Sequence, residues 1–201
     1  MKIWLSFMFT FLIFLFVFNS LALNRQFYAF LHRVLHIGVE SETLIEGREN
    51  VLDFIKGRGE LRGDLFTPEE QIHLQDIKVL MEVEKLLFLS FVDVFVIFYF
   101  MNFFLGKKDD LYYILCGGAK QGMILAPIFG AVFLVGFVPL FTKFHEIFFT
   151  NDFWLLDYEK HLLINILPHQ FFFAWLGYFF GLSMVVYGGL YFGLKRFLKK
   201  S

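Results

Sequence analysis

Two histidines stand where acid–base chemistry could be done beside a membrane. His145 directly follows one long apolar stretch of the sequence, and His73 precedes another. An imidazole, with an unperturbed pKa near ~6.5, can accept and return a proton at neutral pH. Asp76 lies three residues after His73 and would share its helix face, so Asp76 or Glu146 could orient a ring and stabilise its charged form. The alternative is that both histidines are surface residues that anchor helix ends.

The surroundings of His145 strengthen the interest in it. Residues 144–173 are aromatic enough to lie in lipid, yet they include histidines, acidic residues and asparagines that lipid would reject. This segment lies between two long apolar runs, so we expect it at a membrane surface. Polar side chains in such an apolar segment need an explanation, and participation in a chemical reaction is one.

Metal binding is the first competing interpretation. His32 and His36 are four residues apart, as helical zinc ligands can be, but no cysteine or acidic residue at a recognisable spacing completes a site. The His145-Glu146 pair lacks a second histidine at the position of Phe149, so the helical zinc-protease motif is absent. We therefore expect no metal.

A serine or cysteine nucleophile is the second competing interpretation. The sequence has no Gly-x-Ser-x-Gly elbow, and Ser90 and Ser183 lie inside predicted spans without an obvious base. The single cysteine, Cys116, is best interpreted as a small buried thiol. We expect no cofactor, and the net charge of −1 argues against a nucleic-acid partner.

The elements that must position these residues are membrane helices. The chain has 201 residues, of which 58% are hydrophobic and 32 are Phe. Four runs reach the ~20 apolar residues that cross a bilayer, and backbone groups in lipid must bond within a helix. The expected fold is an all-α integral membrane protein, a single membrane domain over 1–201, with spans near 3–23, 86–105, 121–142 and 171–194. The loops 24–85 and 143–170 would then share one face.

Basic residues predict the orientation. The segments 1–2, 106–120 and 195–201 carry eight Lys and Arg in 24 residues, against ten in the 90 residues of the two larger loops. The positive-inside rule therefore places both termini in the cytoplasm and both loops outside. A cleaved signal peptide is an alternative for the first run, because Ser20-Leu21-Ala22 resembles a cleavage site.

Local signals divide the outer loops. Residues 26–37 suit an amphipathic surface helix, and glycines among 57–63 suggest turns and a small β-hairpin. Thr67, Pro68 and Glu70 form a capping box that starts a helix carrying His73 into the second span. Asp157 is predicted to cap a short interfacial helix that ends at Pro168.

Two features within the spans carry further expectations. A carboxylate at the centre of a bilayer costs roughly 2.5–3.5 kcal/mol on insertion scales, so Asp93, inside the second span, is expected to face the helix bundle. In the last span, Gly177 with Gly181 and Gly189 with Gly193 have the small-xxx-small spacing that favours close helix packing.

Two segments resemble the signatures of one family. His73-Leu-Gln-Asp-Ile-Lys78, followed by a span, resembles a His-Leu-x-Asp-Val-Lys motif. A longer pattern resembles the second signature of the same family; it comprises Phe144-His145, Phe148-Phe149, Asn151, Trp154-Leu155, Asp157, Leu163-Ile164-Asn165, Pro168 and Phe171-Phe172. The family is that of the lipoprotein intramolecular transacylases (Lit), small four-span bacterial membrane proteins. Tyr158 departs from it, where proline is expected.

The resemblance implies an acyl transfer. The substrate would be a lipoprotein whose N-terminal cysteine carries diacylglycerol, and the sn-2 acyl chain would move to the α-amine of that cysteine to give the lyso-form. His73 and His145 carry over as the catalytic pair, with Asp76, Lys78, Asn151, Trp154 and Asp157 as supporting residues. The implied site lies on the extracytoplasmic face of the bacterial cytoplasmic membrane.

Physical chemistry is compatible with this reaction. The ester and the amine belong to one molecule, and such proximity can supply ~7–11 kcal/mol in favourable cases, so no covalent intermediate is needed. One histidine as base and the other as acid or electrostatic stabiliser would suffice, and the sequence does not say which is which. Lys78 could stabilise an oxyanion or anchor the helix at the interface.

Two further hypotheses remain open at this point. A non-catalytic accessory protein would bind a partner span through the glycine faces of the last span. A proton-coupled transporter would depend on Asp93, although only one span carries a deep carboxylate.

Overall fold

The computed structural model of the protein describes residues 2–38 and 41–198. Residues 199–201 and Met1, which belong to the terminal segments of the orientation argument, lie outside the described residues. The described residues form eight helices and no strand. The helices are α1 (Lys2–Ala22), α2 (Arg25–Val34), α3 (Glu42–Ile55), α4 (Pro68–Phe104), α5 (Lys108–Val135), α6 (Phe137–Phe148), α7 (Leu162–Ile166) and α8 (His169–Leu198).

Four of these helices, α1, α4, α5 and α8, are long and apolar enough to cross a membrane. The expected all-α membrane protein with four spanning helices is therefore confirmed. Charged residues crowd the start of α4 as far as Lys85, so only the part of α4 from about Lys85 onward can form a span with few charges. His73 lies on the earlier, charged part of this helix.

The chain divides into two compact units, and helices α1, α4, α5 and α8 each have residues in both. Unit 1 comprises Met1–Ser20, Lys85–Phe133 and Gly177–Ser201, and unit 2 comprises Leu21–Glu84 and Leu134–Leu176. Unit 1 therefore holds most of the spanning helices. Unit 2 holds α2, α3, α6, α7 and both histidines of interest.

Unit 1 is held together by aromatic rings packed against small residues. Phe9 and Phe11 of α1 contact Phe95 and Phe91 of α4, each pair with ring centroids 5.2 Å apart. The ring of Tyr187 on α8 is fully buried, and its hydroxyl donates to the carbonyl of Thr10. The Thr10 hydroxyl in turn lies 2.9 Å from the Gly118 carbonyl of α5. These polar contacts satisfy groups that lipid could not.

The glycines that allow close packing in unit 1 are on α5 rather than α8. A Cβ at Gly122 would lie 2.2 Å from the Tyr187 ring, and one at Gly130 would lie 3.2 Å from Phe180. At Gly177, Gly181, Gly189 and Gly193, the four glycines of the predicted pairs, no described atom beyond the neighbouring backbone of α8 lies within 4 Å of such a Cβ. The close packing expected from the glycine pairs of the last span is therefore wrong within the described chain.

Asp93 also departs from expectation. Phe91 and Phe95 define the face of α4 that packs on α1. Asp93 follows Phe91 by two residues, about 200° around the helix, and its side chain is exposed. The prediction that Asp93 faces the bundle is wrong, because the paired phenylalanines turn the opposite face inward.

Unit 2 is organised around one core formed by α3, α4, α7 and the segment that precedes α4. The buried members of this core are Val51, Phe66, Leu74, Leu163 and Ile166. Helix α2 joins α3 through Arg25, which pairs with Glu49 at 2.7 Å and with Asp53 at 2.6 Å. The helix expected over 26–37 is present as α2, but it ends at Val34, and Leu31 and His32 are buried.

The β-hairpin considered near Gly57–Gly63 is not formed. Helix α3 ends at Ile55, and Gly57 adopts a positive φ of 69°. The side chain of Asn50 then fixes the returning chain, donating to the Glu60 carbonyl and accepting from the Arg62 N–H, both at 3.0 Å. A side chain thus takes the hydrogen bonds that a partner strand would have made.

Candidate active site

His73 is presented by the capped start of α4. The Thr67 N–H donates to Glu70 Oε2 at 2.7 Å and the Glu70 N–H donates to Thr67 Oγ1 at 3.4 Å, which forms the predicted capping box. Pro68 occupies the first helical position, as expected. His73 follows one turn after this cap and is 5% exposed.

His145 is presented by α6, which is separated from α5 by a bend at Gly136. The ring is 8% exposed. Its Nδ1 lies 2.7 Å from the carbonyl oxygen of Phe141, one turn earlier in the same helix. Because a carbonyl only accepts, Nδ1 must carry the hydrogen and Nε2 the free lone pair.

The two imidazoles meet, although they are far apart in the sequence. Their ring centroids are 5.9 Å apart. The ring of Phe149 contacts both, with centroids 4.9 Å from His73 and 5.3 Å from His145. Trp154 lies 4.9 Å from His145. The structure thus brings together the two histidines that the sequence singled out, within an aromatic enclosure in unit 2.

Both rings are held in the neutral form near pH 7. Burial is the main cause that lowers the pKa of His73 to about 4; the nearby His145 lowers it further and Asp76 partly opposes this. Burial also lowers the pKa of His145, the Phe141 carbonyl raises it, and the charge of His169 lowers it. A pair of neutral imidazoles can both accept a proton and donate one.

Asp76 and Asn151 form the polar contact beside this pair. Asn151 Nδ2 donates to Asp76 Oδ2 at 2.9 Å, which ties the segment after α6 to α4. Asn151 Oδ1 also accepts from the Phe153 N–H at 3.1 Å. Of the expected supporting residues, Asp76, Asn151 and Trp154 therefore lie around the histidines.

The other two expected supporting residues lie elsewhere. The Lys78 ammonium is placed over the Phe54 ring of α3, 4.5 Å from its centroid. Asp157 is in an exposed turn, where its Oδ1 accepts from the Glu159 N–H at 2.9 Å. Neither contact involves His73 or His145.

Asp157 also does not begin the short helix. Helix α7 begins at Leu162, and its flanking residue His161 makes no capping hydrogen bond with its side chain. Instead, Glu70 Oε1 accepts from the Leu163 N–H at 2.6 Å. A carboxylate from α4 thus supplies the cap of α7, so the prediction of an Asp157 cap is wrong.

Three contributors were not singled out as site residues from the sequence. Phe141 acts through its backbone carbonyl, Phe149 through its ring, and Glu70 through its second hydrogen bond. The Phe141 carbonyl gives no signal in the sequence, because every residue in a helix has a backbone carbonyl four positions before it. The contacts of Phe149 and Glu70 depend on the tertiary fold.

The histidines considered as metal ligands are separated by the end of α2. His32 is buried beside Phe171, with ring centroids 5.5 Å apart, whereas His36 lies beyond the helix with a φ of 54° and is exposed. Within residues 2–38 and 41–198, no group of three or more His, Cys, Asp or Glu residues is arranged to hold a metal ion.

Comparison with known proteins finds one family that matches both the sequence and the fold. The family model "Lipoprotein intramolecular transacylase Lit" matches residues 2–172. The fold is similar to that of the membrane integral lipoprotein intramolecular transacylase Lit from Bacillus cereus, with a TM-score of 0.80, 21% identity, and coverage of 100% of this chain and 96% of that one. Two structures of the same Bacillus cereus protein with one histidine replaced, by arginine or by alanine, each give a TM-score of 0.75 at 20% identity; coverage of this chain is 99% and 100%, and of those chains 92% and 94%. No curated protein sequence matches the chain.

The match to the family model extends over most of the chain and includes both histidines. It favours neither the accessory-protein nor the transporter hypothesis. The four apolar helices and the fold agree with a protein embedded in the membrane. The chain therefore belongs to the lipoprotein intramolecular transacylase (Lit) family and is a multi-pass membrane acyltransferase.

Proposed function

We propose that this protein transfers the sn-2 acyl chain of a diacylglyceryl lipoprotein to the α-amine of the lipoprotein's own N-terminal cysteine. The product is the N-acyl, S-monoacylglyceryl lyso-form. The observation that carries the proposal is the meeting of two buried imidazoles, His73 and His145, in a member of the transacylase family. Membrane lipid surrounds the reaction, and the donor ester and acceptor amine lie on one substrate molecule.

His145 is the general base. Its Nδ1–H donates to the Phe141 carbonyl, so its Nε2 lone pair is free for the substrate. The α-amine has a pKa near ~7.7–8.0, so its ammonium form first releases one proton to water, and the neutral amine that remains loses a second proton as it becomes an amide. Because burial lowers the pKa of His145, its ring stays unprotonated near neutral pH and can accept a proton from the amine.

His73 stabilises the oxyanion. Its Nδ1 is buried and has no hydrogen-bond partner in the described part of the chain. Because its pKa is lowered to about 4, the ring enters the reaction neutral and retains one N–H. That N–H is directed in our proposal at the ester carbonyl oxygen, where negative charge develops in the tetrahedral intermediate.

The substrate and His145 account for every proton and bond in this reaction, so no cofactor takes part. The amine nitrogen forms a bond to the ester carbon while His145 Nε2 takes the proton from the amine. Collapse of the intermediate breaks the bond to the glyceryl oxygen, and His145 returns its proton to that leaving oxygen. The result is one amide and one free glyceryl hydroxyl, and both histidines end as they began.

We also propose a location and an orientation. The denser basic segments of the termini and the α4–α5 connection favour a cytoplasmic side for both termini. The histidine pair then works on the extracytoplasmic face of the bacterial cytoplasmic membrane, where lipid-anchored lipoproteins present their modified cysteine.

The test is mass spectrometry of lipoproteins from cells that express His73→Ala or His145→Ala. Both variants are expected to lose the lyso-form by about 10²-fold or more, as removal of acid–base groups commonly does. His36→Asn is the matched control, because His36 is exposed and asparagine tolerates its positive φ. Unchanged lyso-form production by both alanine variants would refute the assignment.

A further inference from the structure

The ring of His145 makes close, tilted contacts with the rings of Phe141 and Trp154. The Phe141 ring lies 4.2 Å from the His145 ring, measured between centroids, with 44° between the two ring planes. Trp154 lies at 4.9 Å with 32° between the planes. With centroids 4.9 Å apart and 32° between the planes, the indole and the imidazole are closer to a parallel arrangement than to an edge-on one.

Among the described residues, no acidic side chain forms a hydrogen bond or ion pair with His145. Its hydrogen bond goes to a backbone carbonyl, and the titratable groups from other helices that face it are His73 and His169. On its own helix, Glu146 is paired with Lys143. Asp76 accepts from Asn151 and its charge acts on His73. The carboxylate that stabilises the imidazolium in a Ser-His-Asp triad therefore has no counterpart at this ring.

Aromatic faces can take over that role. A cation is attracted to the negative face of an aromatic ring, most strongly to tryptophan, and the attraction grows when the site is dry. We propose that Trp154 is a positioning residue that stabilises the imidazolium form of His145 while it holds the proton taken from the substrate amine. This deepens the proposed function and rests on His145 acting as the base. In the step concerned, an amine N–H bond breaks, an Nε2–H bond forms, and the positive charge comes to lie beside the indole.

The loop that carries Trp154 is fastened at both sides of the residue. Asn151 is tied to Asp76 of α4, and the Leu155 and Leu156 N–H groups each donate at 3.0 Å, to Asp152 and Trp154 carbonyls respectively. These bonds fix the turn from which the indole projects onto His145. The contact is thus built into the fold of unit 2.

The test replaces Trp154 with a series of tryptophans carrying one, two or three fluorine atoms, inserted at this codon alone. Fluorine weakens the negative face stepwise and changes the ring shape little. We measure kcat/KM against pH with the purified full-length protein in detergent and a diacylglyceryl lipopeptide. The expected result is a stepwise fall in kcat/KM, roughly 2- to 30-fold over the series.

The pH profile separates this role from a purely structural one. Weaker stabilisation of the imidazolium lowers the pKa of His145, so the acid limb should move to lower pH with each fluorine. The same series at Trp175, a buried tryptophan that also lies in unit 2, is the control and should change neither quantity. Equal activity across the Trp154 series, or a loss without movement of the acid limb, would overturn the proposal. If His145→Ala retained activity, the proposed function itself would fail, whereas loss in His145→Ala with no fluorine effect would reject only the role of Trp154.

Discussion

At the scale of single residues, burial decides how the two histidines can work. A histidine on an open surface would be partly charged at pH 6.5, but His73 and His145 are 5% and 8% exposed. Desolvation disfavours the imidazolium in both. Each ring is therefore ready to act from its neutral form.

The burial of both histidines predicts where the acid limb of the pH–rate profile lies. Because the pKa of both rings is lowered, they remain neutral as the pH falls below their ordinary value of 6.5. The acid limb of kcat/KM should accordingly have its midpoint below pH 6.5 once protonation of the substrate amine is accounted for. The measurement is a pH–rate profile with a diacylglyceryl lipopeptide, and a histidine midpoint above 6.5 would contradict it.

A second prediction at this scale concerns Asn151. Replacing Asn151 with Leu removes the tie to Asp76 and releases the turn that carries Trp154. We expect kcat/KM to fall by roughly 10-fold, about the worth of one hydrogen bond to a charged group. Activity is compared with that of Asp152→Ala, in which an exposed neighbour is truncated. Equal activity of the two variants would show that the tie does not matter for the reaction.

The sequence indicates the partners but not all of the geometry. Residue types and helix spacing singled out His73, His145 and Asp76 as candidates, and the resemblance of two segments to a known family then made the two histidines the expected catalytic pair. The orienting group of His145 could not be chosen in this way. It is the carbonyl of Phe141, and every residue has a carbonyl.

At the scale of helices, Glu70 connects two elements. Its carboxylate closes the capping box of α4 and also caps α7 through Leu163, and its side chain is fully buried. The Thr-x-x-Glu spacing predicted the first role. The second joins residues 93 positions apart and has no local signal. The start of α7 was therefore misplaced at Asp157, a good local capping residue that forms a turn instead.

Truncation of Glu70 should destabilise unit 2. Glu70→Ala leaves the Thr67 and Leu163 N–H groups without their acceptor, and the buried Leu163 donor alone costs about 1–3 kcal/mol when unpaired. We expect a clear drop in the thermal midpoint in detergent. Glu69→Ala, at the exposed neighbouring position, should change the free energy of unfolding by less than about 0.5 kcal/mol. A similar midpoint for both variants would argue against the double role of Glu70.

At the scale of the whole molecule, ring packing decides which glycines matter. The length and apolar composition of four runs predicted the four spanning helices. Small-residue spacing on α8 suggested the wrong contact face, because such spacing shows where a backbone could be approached and not what approaches it. The buried ring of Tyr187 makes that choice by packing on Gly122 of α5.

A matched pair of substitutions tests this packing. In Gly122→Ala the new methyl would lie 2.2 Å from the Tyr187 ring, so either α5 or α8 must shift. We expect a loss of roughly 1–3 kcal/mol, the usual cost of overpacking. In Gly181→Ala the methyl meets no described atom within 4 Å, and stability should hold or rise slightly. Thermal unfolding of both variants in detergent would reveal the difference, and equal midpoints would count against the packing.

The whole fold should also become less stable in acid. His32 is buried, and burial is the main cause that lowers its pKa to about 4. The unfolded chain binds this proton below about pH 6.5 and the folded chain only near 4, so stability should fall as the pH decreases through that interval. His32→Leu removes this contribution, and its midpoint should vary less between pH 7 and 4.5 than that of the unaltered protein. Parallel curves would contradict the prediction.

The hydrogen bond from His145 to the carbonyl of Phe141 has a consequence for genetics. The group that selects the tautomer of the base belongs to the main chain, so no change of side chain at position 141 deletes it. A screen of single substitutions would find the effect of losing the Phe141 ring and remain blind to the carbonyl beneath it. Only a change to the backbone itself, such as an ester in place of an amide beside that carbonyl, would expose how the base is set.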